Sequence, residues 1–247
     1  MHNTLLERRS IRFFDNQPVE TDKINTYLEV MNRTATSNSL QSCSAIRVTD
    51  PDKKAAIAKV CNQPYVATAP ELWIFVVDMY RNARIAQQKG YDGEQYRSMD
   101  YFFQGAADAY LATQRVETAV QVDGLGAVFL GAILNDSSAM IDILALPELT
   151  FPLVGLAFGY PADAPQQKPR IPVAFKMNEN TYQVHDDYLT LLAEYDSEMT
   201  HYYDTRLANQ RTDAFTTQVV AKLESSRPSR AEILKIIRQQ GFDTSRT

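Results

Sequence analysis

From Met99 to Val122 the chain keeps helical spacing without a break, and this stretch constrains the fold more than any other. Phe102, Ala106, Ala109, Thr113, Val116 and Val120 recur at intervals of three and four, so they share one face. The many alanines on the helix allow close approach by its neighbours, which predicts a central position. Gly124-Leu125-Gly126 then stops it.

Around that helix the remaining segments read as an α+β chain without repeats. Thr4 and Glu7 have capping-box spacing, so Leu5 to Arg9 should make one or two helical turns. Ile24, Tyr27, Leu28 and Met31 keep helical spacing after Pro18. Ile46-Arg47-Val48 alternates as a short strand, and Leu72 to Val77 suits a buried one. Ala127 to Leu130 and Leu153 to Phe158 are further strands, with a short helix from Ala139 to Leu146 between them. Strands separated by helices imply helices flanking a mixed central sheet. Beyond about Arg170, one helical stretch is expected from Asp186 to Tyr203. Another should run from the Ser229–Glu232 capping box to Gly241. Such a tail packs on its own core or wraps a second subunit.

A length of 247 residues fits one large domain, and 45% hydrophobic residues can supply its core. A net charge of −5 gives no global basic field to recruit nucleic acid. The longest apolar run, Leu125 to Leu134, has ten residues, too few to span a membrane. Glu7, Arg8 and Arg9 interrupt any signal-peptide core, and Cys43 and Cys61 lack CxxC spacing. The cytoplasm is the expected compartment.

Several chemistries lack their residues. His2, His185 and His201 form no HxxxH or HExxH pair, so no metal site is expected. There is no GxSxG elbow and no Walker lysine. Gly124 and Gly126 follow a helix rather than a strand, opposite to a dinucleotide-binding fingerprint. An enzyme built this way would rely on an organic cofactor.

Three polar clusters are candidates for holding one. Arg8-Arg9-Ser10-x-Arg12 could grip a phosphate or the edge of a planar heterocycle, or be a solvated basic turn. The run Thr36 to Ser42 offers hydroxyls and amides, or is a simple capped loop. Lys168-Pro169-Arg170, flanked by Pro165 and Pro172, is basic and rigid, which also suits a plain surface loop.

Taken in order, these pieces resemble the flavin-dependent nitroreductases, in particular the NADPH-preferring branch of nitroreductases and flavin reductases. The resemblance spans essentially the whole chain. It is carried by Arg9-Ser10-Ile11-Arg12, Leu40-Gln41-Ser42, Ile46-Arg47-Val48-Thr49-Asp50 and Asn62-Gln63 with Tyr65-Val66. Gly124-Leu125-Gly126 with Gly131, Pro152-Leu153 with Gly155-Leu156, and Gly159-x-Pro161-Ala162-Asp163 continue it. So do Lys168-Pro169-Arg170-Ile171-Pro172, Glu179-Asn180-x-Tyr182 and Tyr202-Tyr203-x-Thr205-Arg206.

The resemblance implies an α+β nitroreductase-like domain over residues 1–247, with an FMN-binding core at 1–170. Residues 171–247 would form a C-terminal extension with dimer and NADPH contacts, wrapping a homodimer whose interface holds the FMN. It implies that Arg8, Arg9, Ser10, Arg12, Thr36, Gln63, Phe129, Leu130, Gly131, Lys168 and Arg170 contact FMN. Arg206 and Arg211 would receive the 2′-phosphate of NADPH. Electrons would pass in a ping-pong cycle to nitroaromatics, quinones or free flavin, with the flavin and no catalytic side chain carrying the chemistry. The chain departs from the family at Arg8 (often histidine), Thr36 (usually serine), Phe129 (often tyrosine), Ala132 (glycine) and Leu207-Ala208 (Gly/Ser). A non-catalytic flavin- or nucleotide-binding dimer with a sensing role is the alternative. Small-molecule acceptors are the expected partners, without nucleic acid or membrane.

Overall fold

The computed structural model describes residues 2–204, 214–225 and 228–245. They fall into two compact units, Met1–Pro165 with Arg227–Thr247, and Gln166–Ser226.

The first unit is built on a four-stranded sheet: β1 (Cys43–Arg47), β2 (Glu71–Asp78), β3 (Gly126–Leu130) and β4 (Thr150–Gly159). Their spatial order is β1-β2-β4-β3 and every ladder between them is antiparallel. The sheet becomes mixed at the β3 edge, where Ser10 forms a parallel bridge to Ala127 and the Ile11 amide donates to the Ala127 carbonyl at 3.0 Å. Both central strands, β2 and β4, are buried at every position. That burial on both faces explains their continuous apolar runs.

Side chains of β2 divide by the two-residue period of a strand. Trp73, Phe75 and Val77 join one core, while Leu72, Ile74 and Val76 join the other. Burying one such side chain contributes on the order of 1.5–3 kcal/mol. The helices covering these faces are α1 (His2–Leu6), α2 (Thr21–Asn32), α3 (Pro51–Cys61), α4 (Tyr65–Thr68), α5 (Tyr80–Gln88), α6 (Met99–Val122) and α7 (Ser137–Leu144). Helices α2 and α6 supply residues to the first core, and α3, α4 and α7 to the second.

Helix α6 has the limits its sequence indicates. Ser98 caps it by accepting from the Tyr101 amide, and Gly124 at φ 79° ends the run. Phe102, Ala109, Ala112, Val116 and Val120 are all buried. A side chain at Gly105 would meet the Ser42 carbonyl at 2.7 Å, so the helix lies almost on the backbone beside β1.

Three local expectations change. Helix α1 starts by His2 and ends at Leu6, so Thr4 lies inside it and not at its cap, and the Thr4 carbonyl accepts from the Gln121 side-chain amide. The stretch expected from Asp186 to Tyr203 breaks at Leu192 into α8 (Tyr188–Leu191) and α9 (Ala193–Asp204). Here the Asp187 side chain caps the short first piece by accepting from the Thr190 amide at 3.0 Å. Leu189 of α8 is 69% exposed. The last helix begins at Pro228, ahead of the expected cap, and is two pieces, α11 (Pro228–Ala231) and α12 (Ile233–Gln239).

Residues after α10 (Phe215–Glu224) return to the first unit, where Ile236, Ile237 and Phe242 enter its main core. The second unit has its own small core of Leu192, Tyr195 and Met199. Among the described residues, no helix is long and apolar enough to cross a membrane.

Candidate functional site

Arg8 follows the end of α1 and turns inward. Its Nε donates to Glu117 Oε1 at 2.9 Å, an Nη reaches Ser10 Oγ at 3.5 Å, and its guanidinium lies 5.6 Å from the centre of the Phe129 ring. Glu117 is 2% exposed and takes a second bond from Gln114 Nε2 at 2.8 Å. Arg8 is therefore committed first to a carboxylate of α6. Arg9 points elsewhere, donating to the carbonyls of Pro165 (2.8 Å) and Glu7 (3.3 Å).

Arg12 is exposed and neighbours Tyr65. Burial pushes the Tyr65 hydroxyl's pKa up, and the Arg12 charge opposes that rise. Tyr65 donates to Gln63 Oε1 at 2.8 Å. Arg12, Gln63 and Tyr65 thus form one polar corner. The fold makes it by ending α3 with Asn62 in the left-handed region, φ 51°, which turns the chain toward α4.

At the end of β3, Phe129 is half-buried, Leu130 lies in the core, and Gly131 is exposed. A side chain built at Gly131 would meet nothing within 4 Å, so a flat group has room beside this backbone. The Gly131 carbonyl accepts from Arg230 Nη2 at 2.6 Å.

Thr36 belongs to a different place. It precedes the turn Ser37–Ser39, in a loop where Asn38, Ser39 and Gln41 have φ of 50°, 58° and 52°. Asp108, 1% exposed on α6, holds both ends of that loop by accepting from the amides of Ser37 (2.8 Å) and Ser42 (3.0 Å). Arg81 adds a bond to the Gln41 carbonyl. Asp108 and Glu117 are nine positions apart, about half a turn around the helix and roughly 13 Å along its axis. Hence the Thr36 loop and the Arg8 pair occupy opposite flanks of α6.

Lys168 and Arg170 are carried by the second unit, where Tyr195 donates to the Pro169 carbonyl at 3.5 Å. Arg206 and Arg211 lie outside the described residues. Within the first unit, then, Arg8, Ser10 and Phe129 come together, Arg12 and Gln63 share a second corner, and Thr36 stands apart.

A cavity of about 260 Å3 sits beside these features, with Glu7, Arg9, Glu117, Gln121 and Asp163 in its lining. It includes neither Arg12, Gln63 nor Gly131, so the volume and the polar corner are separate features.

Sequence reading missed Asp108, Glu117, Asn135 and Arg230. Asp108 and Glu117 did leave a signal, because each is an acid set into the buried arc of α6. Asn135 and Arg230 left none. No group of three or more His, Cys, Asp or Glu among the described residues could hold a metal ion.

Comparison with known proteins identifies the family. Residues 5–160 match the nitroreductase family, and residues 168–245 match the nitroreductase family, C-terminal domain. The FMN reductase (NADPH) of Bacillus subtilis is 32% identical over 243 residues, 97% of each chain. The oxygen-insensitive NADPH nitroreductase of Salmonella typhimurium is 34% identical over 241 residues, again 97% of each. Among solved structures, a nitroreductase from B. subtilis matches at TM-score 0.91 and 32% identity over 98% of both chains. The NADPH:FMN oxidoreductase from Vibrio harveyi, complexed with NAD+, matches at TM-score 0.86 and 30% identity over 97% of both.

Proposed function

The chain belongs to the nitroreductase family, and from that premise we propose an FMN-dependent oxidoreductase that takes electrons from NADPH and passes them to nitroaromatics, quinones or free flavin. One observation carries the reading: an exposed arginine, Arg12, beside the Gln63–Tyr65 pair, in the same unit as a β3 end that stays open at Gly131. Those residues fit a flat, anionic cofactor. The relatives named for FMN and NADPH supply its identity.

FMN held there would supply the redox chemistry of a ping-pong cycle between NADPH and the acceptor. The chain's own residues bind and orient. Arg12 offers a two-pronged donor to phosphate or to the ring edge. Ser10, fixed by its bridge to Ala127, offers a hydroxyl, and Gln63 an amide already oriented by Tyr65. Arg8 is paired with Glu117, whereas Arg12 is an exposed cation at the Gln63 corner. Lys168 and Arg170 complete the FMN set, and Arg206 and Arg211 the NADPH set, on family resemblance.

We assign a homodimer as the working form. The Thr36 loop is turned away from the Arg8 flank of its own α6, so a second copy is the natural source of that loop for each site. Phe103, Tyr110, Leu111 and Val122 of α6 are exposed and offer an apolar surface for it. Cys43 and Cys61, both free thiols, agree with a cytoplasmic setting. No observation favours the non-catalytic alternative.

The test is direct. The purified protein should be yellow, bleach with NADPH under anaerobic conditions, and recolour with a quinone or nitrofuran. Colourless protein that takes up no FMN would overturn the reading. Arg206→Ala should raise the KM for NADPH, and a monomeric holoprotein would refute the dimer.

A further inference from the structure

We infer that Arg230 is a positioning residue for the proposed flavin wall, joining the Gly131 corner and the Gln63 corner through one guanidinium; this rests on the FMN reading above. Arg230 Nη2 donates to the Gly131 carbonyl at 2.6 Å and its Nε to Asn135 Oδ1 at 3.2 Å. Asn135 passes the connection on, its amide reaching the carbonyls of Val60 (3.3 Å) and Cys61 (3.4 Å). These are carbonyls of the last turn of α3, which otherwise lack partners within the helix. Directly after them come Asn62, at φ 51°, and Gln63. Arg230 therefore branches, one arm ending on the Gly131 carbonyl and the other running through Asn135 to the turn that precedes Gln63.

Each link suits this task. Gly131 is exposed and has no side chain to brace it, so bonds to its own backbone groups are what can fix its peptide. A charged donor on its carbonyl is among the stronger neutral-acceptor bonds available. The planar fork of arginine can serve two acceptors at once, which a lysine cannot do with the same geometry.

The C-terminal return that carries Arg230 is anchored independently. Leu149 donates to the Gln240 carbonyl at 2.6 Å, Gln240 Nε2 reaches the Pro147 and Thr150 carbonyls at 3.2 and 3.1 Å, and Phe242 is buried. Loss of the Arg230 side chain thus leaves the return in place and removes only the link.

Arg230→Ala, Arg230→Lys and Asn135→Ala, made in the full chain, test this by two readouts. One is hydrogen exchange of the flavin-free protein and the other is the dissociation constant for FMN. Arg230→Ala should speed exchange over 131–136 and over 60–66, leave β2 and β4 unchanged, and weaken FMN about tenfold, the size expected for one charge-assisted bond. Arg230→Lys should keep 131–136 protected while loosening 60–66, and Asn135→Ala should loosen 60–66. The double variant Arg230→Ala/Asn135→Ala should be no weaker for FMN than the worse single one, because both act in one chain.

Exchange and FMN affinity unchanged in Arg230→Ala would overturn the inference, as would uniform loosening that includes β2 and β4. Wild-type protein that takes up no FMN would sink the functional reading, while the exchange pattern would still decide the link.

Discussion

Arg8 and Glu117 meet at 2.9 Å across 109 residues of sequence, tying the segment after α1 to the inner side of α6. The Glu117 side chain is 3% exposed and that of Arg8 26%. Arg8→Ala strands the carboxylate with Gln114 as its remaining partner, and should cost about 2–3 kcal/mol, discounted from a fully buried pair because Arg8 still reaches solvent. Urea unfolding measures it. Arg8→Ala/Glu117→Ala should be less damaging than the sum of the single changes, and an additive result would show that the pair is not coupled.

Asp108 should matter through the loop it closes. Asp108→Ala leaves the Ser37 and Ser42 amides without their acceptor, at about 1–3 kcal/mol for each buried donor. Asp108→Asn keeps one acceptor and should lose roughly half as much. Thermal melts rank the two variants, and equal Tm values for Asp108→Ala and wild type would refute the role.

Arg12→Ala should weaken FMN by about tenfold to a hundredfold, as expected for loss of a charged donor. Fold stability should barely change, since Arg12 is exposed. Titrating the flavin-free protein with FMN and following fluorescence quenching gives the number. An unchanged affinity would remove Arg12 from the site.

The two glycines at opposite ends of β3 should respond oppositely. At Gly126 a methyl group would collide with the Ile11 side chain, whose Cβ lies 2.6 Å from the added atom. Gly126→Ala should therefore cost about 1–3 kcal/mol through overpacking. Gly131→Ala has free space and should keep unfolding stability within about 0.5 kcal/mol of wild type. Its methyl group would instead occupy the room proposed for the cofactor, so FMN affinity is the readout expected to fall.

Alkaline stability depends on the two thiols. Burial, with Asp108 and Asp78 adding to it and Arg81 opposing, pushes Cys43 from 9.0 to about 12. Burial alone pushes Cys61 from 9.0 to about 11. Both folded-state values are raised, so below pH 9 the full stability is present. It declines as pH rises from 9 toward 11–12, because the unfolded chain releases these protons first. Cys43→Ala should flatten that decline in unfolding experiments between pH 9 and 11. A slope identical to wild type would contradict the assignment.

How much of this was legible depends on the range of the interaction. Helix α6 was readable at both ends because Ser98 and Gly124 act on their immediate neighbours. Strands β2 and β4 were readable because burial on both faces demands uninterrupted apolar residues. The break at Leu192 was not, since the apolar spacing continues through it and an Asp187 side chain decides the geometry. Family resemblance brought out Arg12 and Gln63, which the fold sets beside one another. It gave Arg8 a ligand role, whereas the carboxylate that Arg8 meets is 109 positions away. The partners of Asp108, Asn135 and Arg230 were hidden for the same reason, lying 66 to 99 positions away.

The placing of Asp108 and Glu117 on opposite flanks of α6 makes that helix a ruler. One inserted residue between them would advance the later part by about 1.5 Å and swing it by about 100°. Either the Ser37–Ser42 loop would lose its clasp or Arg8 its counter-ion. Changes of length in this gene should therefore accumulate in connections such as 89–95, between α5 and α6, while the interval from 108 to 117 keeps its count however freely its outward side chains vary.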